Sequence, residues 1–343
     1  MIEIDGTYGE GGGQILRTTL SLSMITGTPV RMRRIRARRP QPGLRPQHLK
    51  CVEAAAAVSR ARVEGARLGA QTLSFVPRAV VPGSYRFDIG TAGAACLVLQ
   101  MLAPALARAG AASSVTVSGG THVPWSPCFH FLAYHWAECL RGLGWALDFR
   151  LERTGFYPKG GGRIRMQVTP SPRLRPLDLI GRGALRRIRG LSVVANLDRA
   201  VAERQRQRAL SRLAPLQVPV GIRVETVAAY GKGSYLVLFA QFDRARFCVC
   251  ALGARGKAAE KVADEAVDAV QAFVDSGAAV DARLADQLLL PLALTAGESR
   301  FTTEAVTPHL LTNSFVIRQF LDVDIRIAGE TGRPGRVTVR PRP

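Results

Sequence analysis

A chain of 343 residues, 47% of them hydrophobic, suits one large or two ordinary domains with ample material for a packed core. Its formal net charge of +21 attracts polyanions, nucleic acid foremost, and so favours an anionic substrate. The best candidate for a membrane span, Ala94 to Ala107, is shorter than a bilayer requires and is broken by Gln100 and Pro104, which excludes a membrane protein.

The opening MIEIDGTYGE has no basic stretch leading into an apolar one, so no secretion signal is expected and the location should be cytoplasmic. Cys51, Cys96, Cys128, Cys139, Cys248 and Cys250 show neither a CxxC nor a metal-finger spacing. They read as reduced core residues, and a structural zinc site is not expected. Lysine occurs only at Lys50, Lys159, Lys232, Lys257 and Lys261, so a compositional bias toward arginine also contributes to the charge.

Three stretches share a plan of polar or glycine-rich turn, apolar helix, short loop and alternating strand. The first is GEGGGQILRTTLSLSMITG followed by PVRMRRIRA, the second GTAGAACLVLQMLAPALARAG followed by SSVTVSGG. The third is DARLADQLLLPLALTAGES followed by RFTTEAVT. The helices are apolar on nearly every face and should be buried between other elements. From Val30 to Val115 is 85 residues, whereas Val115 to Phe301 is 186, so one repeat carries an insertion about the length of a small domain. The Pro-, Gly- and charge-rich PRLRPLDLIGRG places it at 184–276. Within it, LRRIRGLSVVAN, GIRVETVAAY, SYLVLFAQ and RFCVC read as strands, and helices follow Asp198 and Lys257. The second helix puts Val262, Ala266, Val270 and Phe273 on one face.

Several constellations could carry chemistry. Glycines before a helix start, as in Gly9 to Gly13, let backbone N–H groups approach an anion, although a tight structural turn uses the same residues. The loop has neither the Lys-Ser/Thr of a Walker A motif nor the third glycine of a dinucleotide fingerprint. Glu10 within it would repel phosphate unless a divalent cation stood between them. The run RMRRIRARR, read as a strand, sends Arg34, Arg36 and Arg38 to one side and Arg31, Arg33 and Ile35 to the other. It leads into a rigid turn presenting Gln47 and His48. Among His48, His122, His130, His135 and His309 there is no HExxH or comparable spacing. His309 follows a proline at a helix entry, where the imidazole should be held neutral as a nucleophile must be; spacing alone leaves it a candidate.

Together DGTYGEGGGQILR, IRARRPQPGLRPQHL, GTAGAACLVLQ, SGGT, GFYPKGGG, LADQLLLPLAL and HLLTN, in this order from residue 5 to residue 313, resemble the RNA 3'-terminal phosphate cyclases. The resemblance implies an α+β fold of three repeated βα units akin to the enolpyruvyl transferases. Residues 1–183 and 277–343 would form the discontinuous catalytic domain, and 184–276 an inserted domain similar to the C-terminal domain of translation initiation factor 3. It also implies an ATP-dependent ligase that adenylates His309, passes AMP to an RNA 3'-phosphate and closes a 2',3'-cyclic phosphate. Glu10 would then hold Mg²⁺ or Mn²⁺. Arg17, Arg36, Arg39 and Gln47 would engage phosphate or the RNA end, and Gln100 with Arg283, Leu284, Ala285, Asp286 and Gln287 would form the adenylate pocket. The family often has an aromatic residue at the position of Arg283, which bears on nucleotide preference. A monomer or homodimer is expected, and RNA docking on the insert would rest on Arg204, Arg206, Arg208 and Arg212. The competing readings are a non-catalytic ribosome-assembly relative, an enolpyruvyl transferase and a general basic nucleic-acid binder.

Overall fold

The first unit of this computed structural model, which describes residues 1–342, shows how the apolar helices are accommodated. It comprises β1 (Ile2–Asp5), α1 (Gln14–Thr26), β2 (Val30–Arg33), α2 (Pro46–Ser59), β3 (Arg62–Glu64) and β4 (Leu73–Val76). The sheet order is β1-β2-β4-β3, with β1 parallel to β2 and the other pairs antiparallel. Helix α1 stops at Gly27, whose φ of 70° is the left-handed conformation that glycine adopts without a Cβ penalty.

The second unit repeats this connection. It contains β5 (Ser84–Asp88), α3 (Ala95–Leu106), β6 (Ser113–Gly119) and a helical stretch of α4 (Phe129–Phe131), a π-turn (Leu132–Trp136) and α5 (Ala137–Gly142). Strands β7 (Ala146–Arg153) and β8 (Gly162–Thr169) complete it. Its sheet order is β5-β6-β8-β7, again with only the first pair parallel.

A third unit opens on β9 (Asp178–Leu179) and is then interrupted. The interruption holds β10 (Leu185–Ala195), α6 (Arg199–Leu213), β11 (Val220–Thr226), β12 (Gly233–Phe242), β13 (Arg246–Leu252) and α7 (Ala259–Ser276). These strands form their own sheet, β11-β10-β12-β13. Val262, Ala266, Val270 and Phe273 of α7 lie in a second hydrophobic core there, beside Leu236, Leu238 and Phe247. The third unit resumes with α8 (Ala282–Ala293), β14 (Ser299–Thr303), α9 (Pro308–Phe320), β15 (Val323–Ala328) and β16 (Gly335–Pro341). Its sheet order, β9-β14-β16-β15, has the same sense of pairing as the first two. The fold is therefore α+β, built on three repeats of one βα plan. The helix–strand pairs visible in the sequence are α1–β2, α3–β6 and α8–β14. Among the described residues no helix is long and apolar enough to cross a membrane.

One expectation drawn from the arginines does not survive. The run after Val30 is a strand only to Arg33; Arg34 and Arg36 both have φ of 54°, and the chain turns rather than alternating. Ile35 is fully buried while its backbone N–H donates to Gln71 O and its carbonyl accepts from Gly43 N, so the segment folds around one apolar anchor. On the insert, Arg204 makes two hydrogen bonds of 2.8 Å to Glu260, and Arg208 and Arg212 reach Asp264 at 2.8 and 3.1 Å. Arg206 donates to Ile222 O. Arg204, Arg208 and Arg212 clamp α6 to α7, whereas Arg206 ties α6 to β11.

The units are also joined by a buried hydrogen bond. His135 Nε2, on the π-turn of the second unit, lies 2.6 Å from Asp281 Oδ2, and each side chain is only 2% exposed. Oδ1 of the same aspartate caps α8, accepting from Arg283 N and Leu284 N at 3.1 and 3.0 Å. Asp281→Ala removes the cap and leaves the imidazole unpaired in the interior. It should lower the unfolding free energy by about 2–4 kcal/mol, read from urea denaturation.

Candidate active site

The glycine loop before α1 is contorted for a reason. Gly9 and Gly11 have φ of 60° and 56°, and a Cβ on Gly9 would sit 2.1 Å from Thr312 Oγ1 of α9. At Gly13 a Cβ would lie 2.2 Å from His48 Nε2 and 3.0 Å from an Arg17 nitrogen. The loop is thus pressed between α9 and the start of α2, and it carries Glu10 at the junction. Glu10 Oε2 lies 3.0 Å from an Arg39 nitrogen and 3.1 Å from His309 Nδ1. All three side chains remain half-buried.

His309 is the second residue of α9. Thr307 caps the helix by accepting from Leu310 N at 3.0 Å, and Pro308 has the φ that a first helical position needs. Burial lowers the imidazole pKa below its ordinary value, Arg17 and Arg39 push it the same way, and Glu10 opposes them. The ring is therefore neutral at pH 7, with burial rather than the helix end as the main cause. With Nδ1–H directed at Glu10, the lone pair is on Nε2. Gln14 Nε2 donates to the His309 carbonyl at 3.4 Å, tying the amino ends of α1 and α9 together.

The arginines around this pair differ in their freedom. Arg17 is packed under the loop; burial lowers its pKa, and Cys51 and Asp286 act in the opposite direction. Arg36 donates to Gln41 O at 2.7 Å and to Gly43 O at 3.0 Å, so part of its guanidinium holds the turn together. Arg38 donates to Gly9 O at 3.0 Å and fastens the glycine loop. Gln47 accepts from Ala94 N, at the start of α3, at 2.8 Å, leaving its amide N–H groups for a ligand. His48 beside them is pushed down to about 3 by burial and by Arg17, Arg36 and Arg45.

A cleft of about 630 Å³ adjoins this centre, with Arg283, Asp286 and Gln287 on one wall and Pro124, Trp125 and Cys128 on another. Leu284 and Ala285, from the same expected segment, point into the core instead, at 4% and 0% exposure. Gln100 reaches the region by donating to the Gln287 side-chain oxygen. Burial raises the Asp286 carboxyl well above its ordinary range, with Asp281 and Glu10 adding to the effect and Arg17 opposing it. Asn313 holds this wall: it donates to Asp286 O at 2.8 Å and accepts from Thr18 at 2.7 Å.

Sequence reading passed over Gln14, Asn313 and Trp125. The first two stand inside quoted motifs, in GEGGGQ and HLLTN, where residue type alone gave no role. Trp125 is 99% exposed with φ of 58°, an aromatic ring displayed at the cleft mouth, and nothing in its local sequence marks it.

The site can therefore hold an anion against glycine N–H groups and arginines, position a carboxylate for a cation, and offer a neutral imidazole nitrogen. A family model described as RNA 3'-terminal phosphate cyclase matches residues 8–327, which include every residue of this centre. The chain belongs to the RNA 3'-terminal phosphate cyclase family.

Relatives carrying that family's name agree with it over their whole length. The RNA 3'-terminal phosphate cyclase of Methylococcus capsulatus is 45% identical over 338 residues, covering 96% of this chain and 94% of that protein. The one from Ralstonia nicotianae is 48% identical over 330 residues, with coverage of 96% and 94%. The one from Pyrococcus abyssi is 44% identical over 339 residues, with coverage of 99% and 98%. Among solved structures, the enolpyruvyl transferase NikO from Streptomyces tendae aligns with 99% of this chain and 48% of its own, at 12% identity and a TM-score of 0.39. That likeness is too low to bear on the fold, which the repeated sheets establish themselves.

His48 gives this cyclase-family site a pH signature. The unfolded chain takes up its proton near the ordinary 6.5, whereas the folded imidazole resists protonation down to about 3. Stability is therefore held above pH 6.5 and lost as pH falls from there toward 3. Between about pH 7.5 and about 5, the urea midpoint of wild type should fall further than that of His48→Gln.

Proposed function

We propose that this chain uses ATP to convert the 3'-terminal phosphate of RNA into a 2',3'-cyclic phosphate, through AMP carried on His309. The observation behind the reading is the Glu10–His309 contact at 3.1 Å, which holds a neutral imidazole with Nε2 available. Nε2 attacks the α-phosphorus of ATP and pyrophosphate leaves. The resulting imidazolium keeps its Nδ1–H against the Glu10 carboxylate, which offsets its charge. An oxygen of the RNA 3'-phosphate then attacks the AMP phosphorus, and His309 departs as neutral imidazole. Finally the neighbouring 2'-hydroxyl attacks the activated 3'-phosphorus, the bond to AMP breaks, and the hydroxyl proton passes to solvent. A phosphate monoester is a poor electrophile until AMP becomes its leaving group, and the 2'-hydroxyl is already beside it.

The residues suit a divalent cation of the Mg²⁺ or Mn²⁺ type. Such ions take one or two carboxylates and complete their shell with phosphate oxygens and water, and Glu10 is a half-buried carboxylate in a loop open to phosphate. When bound, the ion would neutralise phosphate charge during transfer. Arg17, Arg39, the free part of Arg36 and the Gln47 amide would receive the RNA 3'-phosphate. The adenosine would occupy the cleft between Trp125 and Arg283. The exposed indole would there supply the aromatic surface that relatives often carry at the position of Arg283.

The decisive experiment is labelling with ATP radioactive at the α-phosphate in Mg²⁺ or Mn²⁺. Wild type should acquire acid-labile, alkali-stable AMP, and His309→Ala should acquire none and lose cyclisation of a 3'-phosphorylated oligoribonucleotide by about 10³-fold or more. Folded wild type that neither takes label from any nucleoside triphosphate nor cyclises RNA would overturn the reading. In the same assay Trp125→Ala should raise KM for ATP about tenfold with little change in kcat, the pattern of a lost binding contact.

A further inference from the structure

Away from the glycine loop, three residues with transition-metal donor atoms converge in the interior. His122 lies in the loop after β6, and Cys128 and His130 lie at the start of the helical stretch that follows. They are 1%, 4% and 6% exposed. One donor atom from each falls within 4.8 Å of the others. His122 Nε2 and His130 Nδ1 are only 3.0 Å apart.

The surroundings of His122 suit a proton on Nδ1. Thr121 Oγ1 accepts from Gly155 N at 2.9 Å and donates to Gly155 O at 3.4 Å, and His122 Nδ1 lies 2.9 Å from the same oxygen. With its own proton directed at Gly155 O, Oγ1 has a lone pair left for an Nδ1–H. The lone pair of His122 is then on Nε2, facing His130 Nδ1 and the thiol. An outer partner that orients a ring in this way is a regular companion of metal-bound histidine. Cys128 Sγ accepts from Phe131 N at 3.4 Å, as a ligating thiolate does. Cys250 of β13, in the insert, lines the same cleft as Cys128 and stands outside this group of three.

We infer that His122, Cys128 and His130 form a Zn²⁺ site in the second unit, with its fourth position open to water from the cleft that Cys128 lines. Two imidazoles and one thiolate are a three-ligand zinc set that leaves the fourth position to water, and N/S donors of this softness disfavour Mg²⁺ and Ca²⁺. Ligand nitrogens around zinc stand roughly 3.3 Å apart, so the 3.0 Å spacing opens by a few tenths of an ångström on binding. The site is distinct from Glu10, which offers a single hard carboxylate oxygen. Binding deprotonates the Cys128 thiol and releases its proton to solvent.

The full-length protein, purified under reducing conditions, should hold about one zinc per chain by mass spectrometry after desalting. Cobalt substitution should give an intense thiolate-to-metal band in the near ultraviolet. Cys128→Ser and His122→Gln should each weaken metal retention at least tenfold, and Cys128→Ser should abolish that band, whereas Glu10→Ala should retain full zinc, separating this site from the catalytic centre. Because the cobalt spectrum is taken on wild type, instability of a variant does not blunt the test. Folded, reduced wild type that neither retains zinc nor develops the band would overturn the inference. A Cys128–Cys250 disulfide as the native state, seen as a two-hydrogen mass difference on reduction, would overturn it as well.

Discussion

The packing of α1 against α9 is the contact on which the rest of the centre depends. Both helices belong to units that could each bury only part of their apolar surface, and their closure brings residues from opposite ends of the chain together. Glycine at position 9 permits it, because any Cβ there would collide with Thr312 of α9. Once the two helices meet, Glu10 and His309 have little choice but to face each other. The hydrogen bond from Gln14 to the His309 carbonyl and the link from Thr18 through Asn313 to Asp286 fasten α1, α8 and α9 into one wall.

Electrostatics at this wall follow from burial under a strongly basic surface. Arg17, Arg36 and Arg45 surround His48 and keep it uncharged, and burial with Arg17 and Arg39 does the same to His309. Excess positive charge is thereby left on guanidinium groups, which cannot lose it, while the imidazoles stay neutral. Asp286 goes the other way: burial beside other carboxylates favours its protonated form even though Arg17 is close. A centre with cationic arginines, a neutral histidine and one ionised carboxylate suits phosphoryl chemistry, where positioning and charge dispersal matter more than an acid–base pair.

The insert shows how far a charge pattern can mislead when read in one dimension. Arg204, Arg208 and Arg212 look like a row facing solvent, yet α6 lies against α7, whose Glu260, Asp264 and Asp268 answer them. The pairing stitches two helices together over the sheet.

Local patterning carried the repeat plan by itself. Apolar helices followed by alternating strands are visible as α1–β2, α3–β6 and α8–β14, because hydrophobic periodicity is written residue by residue. The glycine loop, Pro308 before His309 and the ordered motifs of the cyclase family were likewise present in the sequence. What the sequence left undecided depends on distance through space. Arg34 and Arg36 were read as strand because arginines alternate there, whereas the buried anchor Ile35 and its bonds to Gln71 and Gly43 turn the chain instead. Contacts between Glu10 and His309 and between His135 and Asp281 join residues more than a hundred positions apart. Only the closure of separately formed units creates them, since no local propensity records which buried faces will meet.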